Sequence, residues 1–304
     1  MFNKHSSFNS ILFVLLIISF GITQKNLEIF LLIGQSNMAG RAAIDPSISQ
    51  DTSKIINTWL FKDSADWVPA KNPLNLYSTH RKNVNQQRIG PGYGFSLRIQ
   101  KALPEKQIGL VVQARGGTSI DLWKRGNELY DNAVKKALQA KESGTLKAVL
   151  WHQGESDNGS ADTYLEKLIV LITSLREDLG LDSLPFIAGQ LLNISSKYDP
   201  INSIITDLTG LVPHTGVVLT DGTMGSFDGG THFDRNGQLE LGTRYAEKVL
   251  LMGILEKSTG NLVKPYSMAT PSEVQILNGF TGGNILIGLN GKFYNTMGRK
   301  QVVK

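Results

Sequence analysis

Short apolar runs alternate with amphipathic segments along most of this chain, and this alternation restricts its fold more than any other feature. Apolar runs of strand length lie at residues 29–33, 108–112, 146–151, 185–189 and 217–219. Helical patterns lie at residues 93–103, 127–142, 160–179, 200–210 and 236–255. Strands that alternate with helices predict right-handed crossovers and a parallel sheet with helices on both faces. The sequence therefore predicts a three-layer, flavodoxin-like α/β/α fold with about five parallel strands.

Two stretches depart from this alternation. Residues 40–92 are polar and contain four prolines, which predicts a long irregular excursion with short strands near residues 55–61. Long loops on an α/β scaffold usually shape a binding site. From residue 261 onward, glycines interrupt short apolar runs. This pattern is typical of a small β appendage or of a tail without fixed structure, and residues 290–300 resemble the end of C-terminal sorting segments of secreted Bacteroidetes proteins.

The N-terminal residues have the pattern of an export signal. Lys4 supplies positive charge, residues 11–20 are apolar, and small residues follow near Gly21. The apolar run is short for a membrane span, although an uncleaved anchor is the alternative. We therefore expect a signal peptide at residues 1–24, an enzyme domain at 25–260 and a tail or β appendage at 261–304. We expect the mature protein to be secreted or periplasmic and not inserted in the membrane.

Charge and cysteine content exclude several classes of function. The 31 basic and 26 acidic residues give a formal charge of +5, and the basic residues are scattered. This distribution argues against nucleic-acid binding. The absence of cysteine excludes disulfides, a thiolate nucleophile and cysteine-based metal sites. The five histidines lack metal-binding spacing, so we expect no metal site; the family resemblance described below likewise implies neither a metal nor an organic cofactor.

The first polar cluster follows the first apolar run directly, at residues 34–38 (GQSNM). Chemistry in an open parallel sheet occurs just beyond the carboxyl ends of the strands. Ser36 is therefore the candidate nucleophile, although Ser36 and Asn37 are equally typical of a helix start. The cluster is not the Gly-x-Ser-x-Gly elbow of α/β-hydrolases, because Met38 replaces the second glycine.

Two more clusters follow the next two strands. Gly116 and Gly117 would let a backbone N–H face an oxyanion, or would simply form a tight turn. Gln153 offers a side-chain amide that could serve the same oxyanion. His152 and Glu155 in the same cluster are interpreted as supports that hold the loop by hydrogen bonds.

The last cluster precedes the final helix and contains Asp228 and His232. A carboxylate a few residues before a histidine can hold the imidazole in the tautomer that accepts a proton from a serine. The alternative is an Asp-Gly turn beside an exposed histidine. Asp234 is interpreted as the N-cap of the final helix rather than as a catalytic acid.

Together the four clusters resemble the sequence blocks of the SGNH/GDSL hydrolases. More narrowly, they are similar to the carbohydrate-esterase branch that includes acetylxylan esterases and sialate O-acetylesterases. The matching blocks are residues 34–38, 116–119, 152–157 and 230–233. The resemblance covers about residues 26–255, and it leaves the C-terminal stretch out.

The resemblance implies a role for each of these residues. Ser36 would be the nucleophile, His232 the base and Asp228 the residue that orients the base. The backbone N–H groups of Ser36 and Gly117 and the Gln153 amide would form the oxyanion hole. The residues implied as supports of the site are Gln35, Asn37, His152 and Glu155. Arg115 and Trp123 lie close to the glycine block and would face the sugar. Core packing is an equal alternative for Trp123.

One departure from the family pattern concerns the spacing of the acid. The family places Asp three residues before His, but Gly229 holds that position here and Asp228 lies one residue further back. The extra glycine either bulges out and leaves the pair intact, or leaves a Ser-His dyad.

The predicted function is that of a secreted serine esterase that removes O-acetyl groups from carbohydrates, of acetylxylan or sialic-acid type. The alternatives are an esterase of another small acyl ester and a carbohydrate-binding protein that has lost catalysis. The sequence leaves the acetylated sugar and the oligomeric state open.

Overall fold

The structure is a computed structural model of the 304-residue chain. It describes residues 26–62, 66–79, 88–194, 196–222 and 225–256, and four short strands between residues 276 and 301. Its main body is a seven-stranded sheet. These strands are β1 (Leu27–Gly34), β2 (Thr58–Phe61), β3 (Trp67–Pro69), β4 (Ile108–Ala114), β5 (Gly144–His152), β6 (Phe186–Gly189) and β7 (Thr215–Val218).

The sheet has the strand order β3-β2-β4-β1-β5-β6-β7, and all neighbouring strands are parallel except the β2–β3 pair. The predicted α/β class and the five predicted parallel strands are confirmed. Of the two additional strands, β2 lies within residues 55–61, where short strands were predicted, and β3 comes from the part of the excursion that was expected to be irregular. Pro69 lies in the edge strand β3, where a missing backbone N–H is tolerated.

Seven helices accompany this sheet in the described part of the chain. They are α1 (Ser36–Ala39), α2 (Ser49–Thr52), α3 (Pro91–Ala102), α4 (Glu128–Ala140), α5 (Ala161–Leu179), α6 (Asp199–Leu211) and α7 (Arg235–Leu251). The five long helices begin and end within a few residues of the predicted bounds. Asp234 accepts a hydrogen bond from the Gly237 N–H at 2.7 Å, which confirms its predicted role as the α7 N-cap.

Two hydrophobic cores lie on opposite faces of the sheet. Side chains alternate along β1, so that Ile29 and Leu31 pack into the core with α4, α5 and α6. Phe30 and Leu32 pack into the core with α3 and α7. The unbroken apolar run at residues 29–33 of β1 is therefore explained by burial on both faces of the sheet.

The register of the central strands places the polar clusters together. Gly34, the last residue of β1, pairs with Ala114 at the end of β4 and with His152 at the end of β5. The three strands therefore end at the same level of the sheet. The residues that follow them emerge at one carboxyl edge, where ligands bind in such sheets.

The C-terminal strands form a second sheet. It is antiparallel, with the order β11-β10-β9-β8. Its strands are β8 (Ile276–Leu277), β9 (Leu286–Leu289), β10 (Lys292–Tyr294) and β11 (Lys300–Gln301). The predicted signal at residues 1–24 lies outside the described residues. Within the described residues, none of the helices combines the length and apolar character needed to cross a membrane.

Candidate active site

Ser36 lies at a sharp turn between β1 and α1. Gly34 has a φ of +140°, and a Cβ atom at this position would overlap the carbonyl oxygen of His152. The missing side chain lets the end of β1 lie against β5, where the Gln35 N–H donates to the same carbonyl at 2.9 Å. Ser36 is 6% exposed. The turn therefore presents the hydroxyl in a partly enclosed position at the carboxyl edge of the sheet.

His232 lies between Ser36 and Asp228. Its Nε2 is 2.9 Å from Oγ of Ser36, and its Nδ1 is 2.5 Å from Oδ2 of Asp228. The three groups come from two regions almost two hundred residues apart in the chain. A hydroxyl, an imidazole and a carboxylate in this order form the arrangement in which a base can activate a serine.

The extra glycine between Asp228 and His232 is accommodated within the loop. Gly229 and Gly230 have φ values of +77° and +111°, which glycine adopts without steric cost. Oδ1 of Asp228 accepts the backbone N–H groups of Thr231 at 3.2 Å and His232 at 2.9 Å. The structure thus pairs the acid with the imidazole across four residues instead of three.

Electrostatics at this loop favour an ionised acid. Burial raises the pKa of Asp228, but the hydrogen bonds and the charge supplied by His232 outweigh burial and hold that pKa below its usual range. A carboxylate that stays charged is the form that can orient an imidazole and stabilise the imidazolium.

The glycine block after β4 lies beside Ser36. A Cβ atom on Gly116 would overlap Nη2 of Arg41 and lie 3.4 Å from Cβ of Ser36. Gly117 is exposed, has a φ of +71° and has open space around its Cα. The backbone at Gly116 therefore lies close to the nucleophile turn, and the N–H groups of this loop are candidate donors for an oxyanion hole.

Gln153 is fully buried beneath this loop. Its amide nitrogen donates to Oε1 of Gln35 at 3.0 Å, to the Thr118 carbonyl at 2.9 Å and to Oδ2 of Asp157 at 2.5 Å. An amide has two N–H bonds, and the protein itself uses both. Gln153 thus holds the nucleophile turn and the glycine block together, and an oxyanion contact by its amide would require one of these bonds to break.

Asn37 connects the nucleophile turn to the histidine loop. Its Nδ2 donates to Oε1 of Glu155 at 2.5 Å and to the Thr231 carbonyl at 3.0 Å. Its Oδ1 accepts the Phe233 N–H and the Gln238 amide, each at 3.2 Å. The amide therefore fixes the serine and the loop that carries His232 at a set distance.

His152 and Glu155 lie buried below the reactive groups. Burial lowers the pKa of His152 to about 3 and raises the pKa of Glu155 to about 7. Nε2 of His152 and Oε2 of Glu155 lack a hydrogen-bond partner among the described residues. Burial therefore keeps His152 neutral and favours the neutral form of Glu155 up to about pH 7. The position of both groups below the reactive groups fits their predicted role as supports.

Trp123 and Arg115 occupy different environments. Trp123 is 1% exposed, contacts Trp151 edge to face and donates to Oγ1 of Thr118 at 3.4 Å. Of the two roles considered for Trp123, the structure shows core packing. Arg115 is half-buried beside the glycine block, and its backbone N–H donates to the Gly34 carbonyl at 3.1 Å.

Three side chains near the site were missed from the sequence. The Arg41 guanidinium lies against Gly116, and Phe227 and Ile194 are exposed beside the histidine loop. Arg41 lies only three residues after the GQSNM block in the sequence, so its proximity to the site could have been predicted. Phe227 and Ile194 gave no pattern, because single apolar residues in loops are common.

The geometry defines a class before any comparison is made. The described residues contain no group of three or more His, Asp or Glu side chains arranged to hold a metal ion. A serine with an imidazole and a carboxylate, at the carboxyl edge of an α/β/α sheet and outside a Gly-x-Ser-x-Gly elbow, is typical of an SGNH-type hydrolase.

Comparisons with known proteins agree with this class. The family model for carbohydrate esterase, sialic acid-specific acetylesterase, matches residues 26–251. A protein named "Probable carbohydrate esterase" from Arabidopsis thaliana is 38% identical over 177 residues, which are 53% of this chain and 67% of that relative. The X-ray structure of that plant protein superposes with a TM-score of 0.67 and 30% identity, covering 74% of this chain and 98% of the other.

Two more distant structures share the fold. NanS superposes with a TM-score of 0.60 at 16% identity, covering 76% of this chain and 98% of its own. A carbohydrate acetylesterase from Xanthomonas citri superposes with a TM-score of 0.53 at 19% identity, covering 88% of this chain and 63% of its own.

The match to the family model shows that this chain belongs to the carbohydrate esterase, sialic acid-specific acetylesterase family, within the SGNH superfamily. It is a carboxylic ester hydrolase of the carbohydrate esterase type.

Proposed function

We propose that the protein is an exported serine esterase that removes O-acetyl groups from carbohydrates through an acyl-enzyme. The observation that carries this proposal is the alignment of Ser36, His232 and Asp228, with contacts of 2.9 and 2.5 Å. Hydrogen-bond reach between nucleophile and base is the geometric requirement for activating a serine hydroxyl.

In the proposed mechanism, Ser36 attacks the acetyl carbonyl while Nε2 of His232 removes the hydroxyl proton. The imidazolium then donates this proton to the departing sugar oxygen. Asp228 holds Nδ1 and stabilises the imidazolium. Water, activated by the same imidazole, then releases acetate and restores Ser36.

The developing oxyanion needs donors that are already in place. We assign this role to the backbone N–H groups of Ser36 and Gly117. Gln153 acts in support, because its bonds to Gln35 and Thr118 tie both donor segments together. A direct Gln153 contact, as the family resemblance implies, would require the amide to release one of these partners in the transition state.

The non-catalytic alternative rested on the displaced acid. The Asp228–His232 contact and the family match support an enzyme instead. The proposed substrate class is an O-acetylated sugar. The assay described next distinguishes acetylated xylan, sialic acid and another small acyl ester.

The test compares Ser36→Ala with a matched control, Ser203→Ala, because Ser203 is an exposed residue on α6. Acetate release from acetylated xylo-oligosaccharides, O-acetylated sialic acid and 4-nitrophenyl acetate would be measured between pH 6 and 9. We expect Ser36→Ala to lose more than about 10⁴-fold in kcat and the control to retain wild-type rates. A Ser36→Ala variant that retains activity on all substrates would contradict the mechanism.

Export is tested separately. We expect the mature protein to begin near residue 25 and to appear outside the cytoplasm of the producing cell. Amino-terminal sequencing of the protein from each cell fraction measures both. A cytoplasmic protein that retains residues 1–24 would refute export without affecting the esterase proposal.

A further inference from the structure

Two large apolar side chains are exposed on either side of the loop that carries His232. Phe227 is 56% exposed and Ile194 is 54% exposed. They come from different parts of the fold, since Ile194 follows β6 and Phe227 follows β7. Burial would be favourable for both side chains, so their shared exposure beside a reactive group indicates a binding surface.

The Phe227 ring is stacked on the imidazole. The two ring centroids are 5.9 Å apart, and the planes differ by 13°. The same imidazole contacts Oγ of Ser36 through Nε2. Phe227 therefore covers a face of the base and continues from it to the protein surface.

Ile194 borders the same loop at Gly230. A Cβ atom on Gly230 would lie 3.9 Å from Cβ of Ile194, with no closer neighbour among the described residues. Ile194 thus borders the loop backbone at Gly230, while Phe227 is part of the loop and lies against the ring of His232. We name these two side chains the Phe227–Ile194 platform.

The chemistry of the leaving group places the sugar near this platform. The imidazole must donate its proton to the sugar oxygen as the ester breaks, so that oxygen must approach Nε2 of His232. The ring that carries this oxygen then lies beside the imidazole. Trp123, the aromatic residue first considered for sugar contact, is in the core, which leaves Phe227 as the aromatic surface next to the base.

We propose that the Phe227–Ile194 platform binds the apolar C–H face of the pyranose ring that bears the acetyl ester. One face of such a ring presents C–H groups, while its hydroxyls point outward around the edge. C–H groups carry partial positive charge and suit the negative face of an aromatic ring, and the contact also removes apolar surface from water. This proposal rests on the proposed esterase function and adds the subsite that selects a sugar over a small alcohol.

The experiment measures kcat/KM on two kinds of acetate ester. The first is a methyl xylopyranoside carrying one O-acetyl group, and the second is 2,2,2-trifluoroethyl acetate, which has no ring. Phe227→Ala, Ile194→Ala and Phe227→Trp would be compared with wild type by continuous titration of released acid. Ile56→Ala is the matched control, because Ile56 is 76% exposed and precedes β2, which lies in the half of the sheet away from β6 and β7.

We expect Phe227→Ala to lower kcat/KM on the sugar ester about tenfold, mainly through KM, and Ile194→Ala to lower it about threefold. For both variants the ratio of kcat/KM on the sugar ester to kcat/KM on the ring-free ester should fall, by about five- to tenfold for Phe227→Ala and by about two- to threefold for Ile194→Ala. Phe227→Trp should retain sugar activity, and the control should match wild type on both esters.

Three results would overturn the platform. An equal loss on both esters would mean that Phe227 acts only on the imidazole, and a shifted pH–rate profile would accompany it. No loss on either ester would mean that the ring does not touch the substrate. A Phe227→Trp variant as poor as Phe227→Ala would remove the stacking argument. Wild-type failure on both esters would instead refute the serine esterase mechanism, so the two failures are distinguishable.

Discussion

Replacing Glu155 with glutamine is expected to change how stability depends on pH. The carboxyl of Glu155 is 3% exposed, and one oxygen accepts a hydrogen bond from Asn37 at 2.5 Å. Burial raises its pKa from 4.5 to about 7. The native state therefore retains a proton over a pH range in which the unfolded chain has already released it.

The sign and size of the effect follow from this difference. Between pH 4.5 and 7 the native state binds more protons than the unfolded state, so the free energy of unfolding falls as pH rises. One pKa unit corresponds to about 1.4 kcal/mol. Between pH 5 and pH 8 the wild-type protein should therefore lose about 2 to 3 kcal/mol through Glu155. Glutamine keeps a similar shape and does not titrate, so Glu155→Gln should lack this loss.

The assay is urea denaturation at pH 5 and pH 8, followed by the fluorescence of the buried Trp123 and Trp151. His152 also titrates with folding, because burial lowers its pKa to about 3. Its contribution is lost as pH falls below the ordinary value of 6.5. This loss is present in both proteins, so it largely cancels when the variant is compared with wild type.

Glu105→Gln provides the matched control, because Glu105 is exposed in the connection between α3 and β4. The control should show the wild-type difference between the two pH values. If Glu155→Gln also shows the full wild-type difference, Glu155 does not hold its proton at neutral pH and the description of a neutral buried support fails.

Three further outcomes follow from the geometry. Asp228→Asn should lower kcat by about 10³-fold or more with little change in KM, because the imidazole of His232 loses its orienting charge; steady-state kinetics on any accepted ester measures it. Gly34→Ala should destabilise the fold by about 3 kcal/mol, since a side chain at a φ of +140° meets backbone, and the thermal midpoint would report it. Asp51→Asn should lower the free energy of unfolding by about 2 kcal/mol, because it leaves the partly exposed Arg235 without its buried carboxylate partner. Urea denaturation measures this change, and an unfolding free energy equal to that of wild type would contradict the prediction.

The sequence was sufficient for the parallel sheet because its pattern is local. The central strand β1 contains an unbroken apolar run at residues 29–33, and the long helices have clear starts and stops, as Asp234 and Gly180 illustrate. Strand β2 and the edge strand β3 lie in a polar, proline-containing stretch. β2 pairs with β4 and β3 pairs with β2, so both strands depend on these partners rather than on a pattern in their own residues. This is why they were expected only in part.

The candidate site could be assembled from the sequence only as far as strand ends could be located. Ser36 and the glycine block follow apolar strands, so their proximity follows from the topology. The contact between Asp228 and His232 depends on two glycines with positive φ, which the spacing alone left ambiguous. The Gln153 amide could have faced either a substrate or the protein, because a sequence does not show which acceptors surround a side chain.

The supporting residues below the site, Gln153 and Glu155, lower the stability of the fold while they fix the geometry of the site. Oε1 of Gln153 and Oε2 of Glu155 are buried without a partner among the described residues, and each such atom costs about 1 to 3 kcal/mol. Apolar residues of similar size would remove this cost. They would also remove the hydrogen bonds that Gln153 donates to Gln35 and Thr118 and the one that Glu155 accepts from Asn37, which join three separate loops. Because the chemistry depends on a hydroxyl and an imidazole held within hydrogen-bond reach, stability is lost at the positions where the loops must be fixed. Substitutions at these supports should therefore lower kcat even where they leave the protein as stable as wild type.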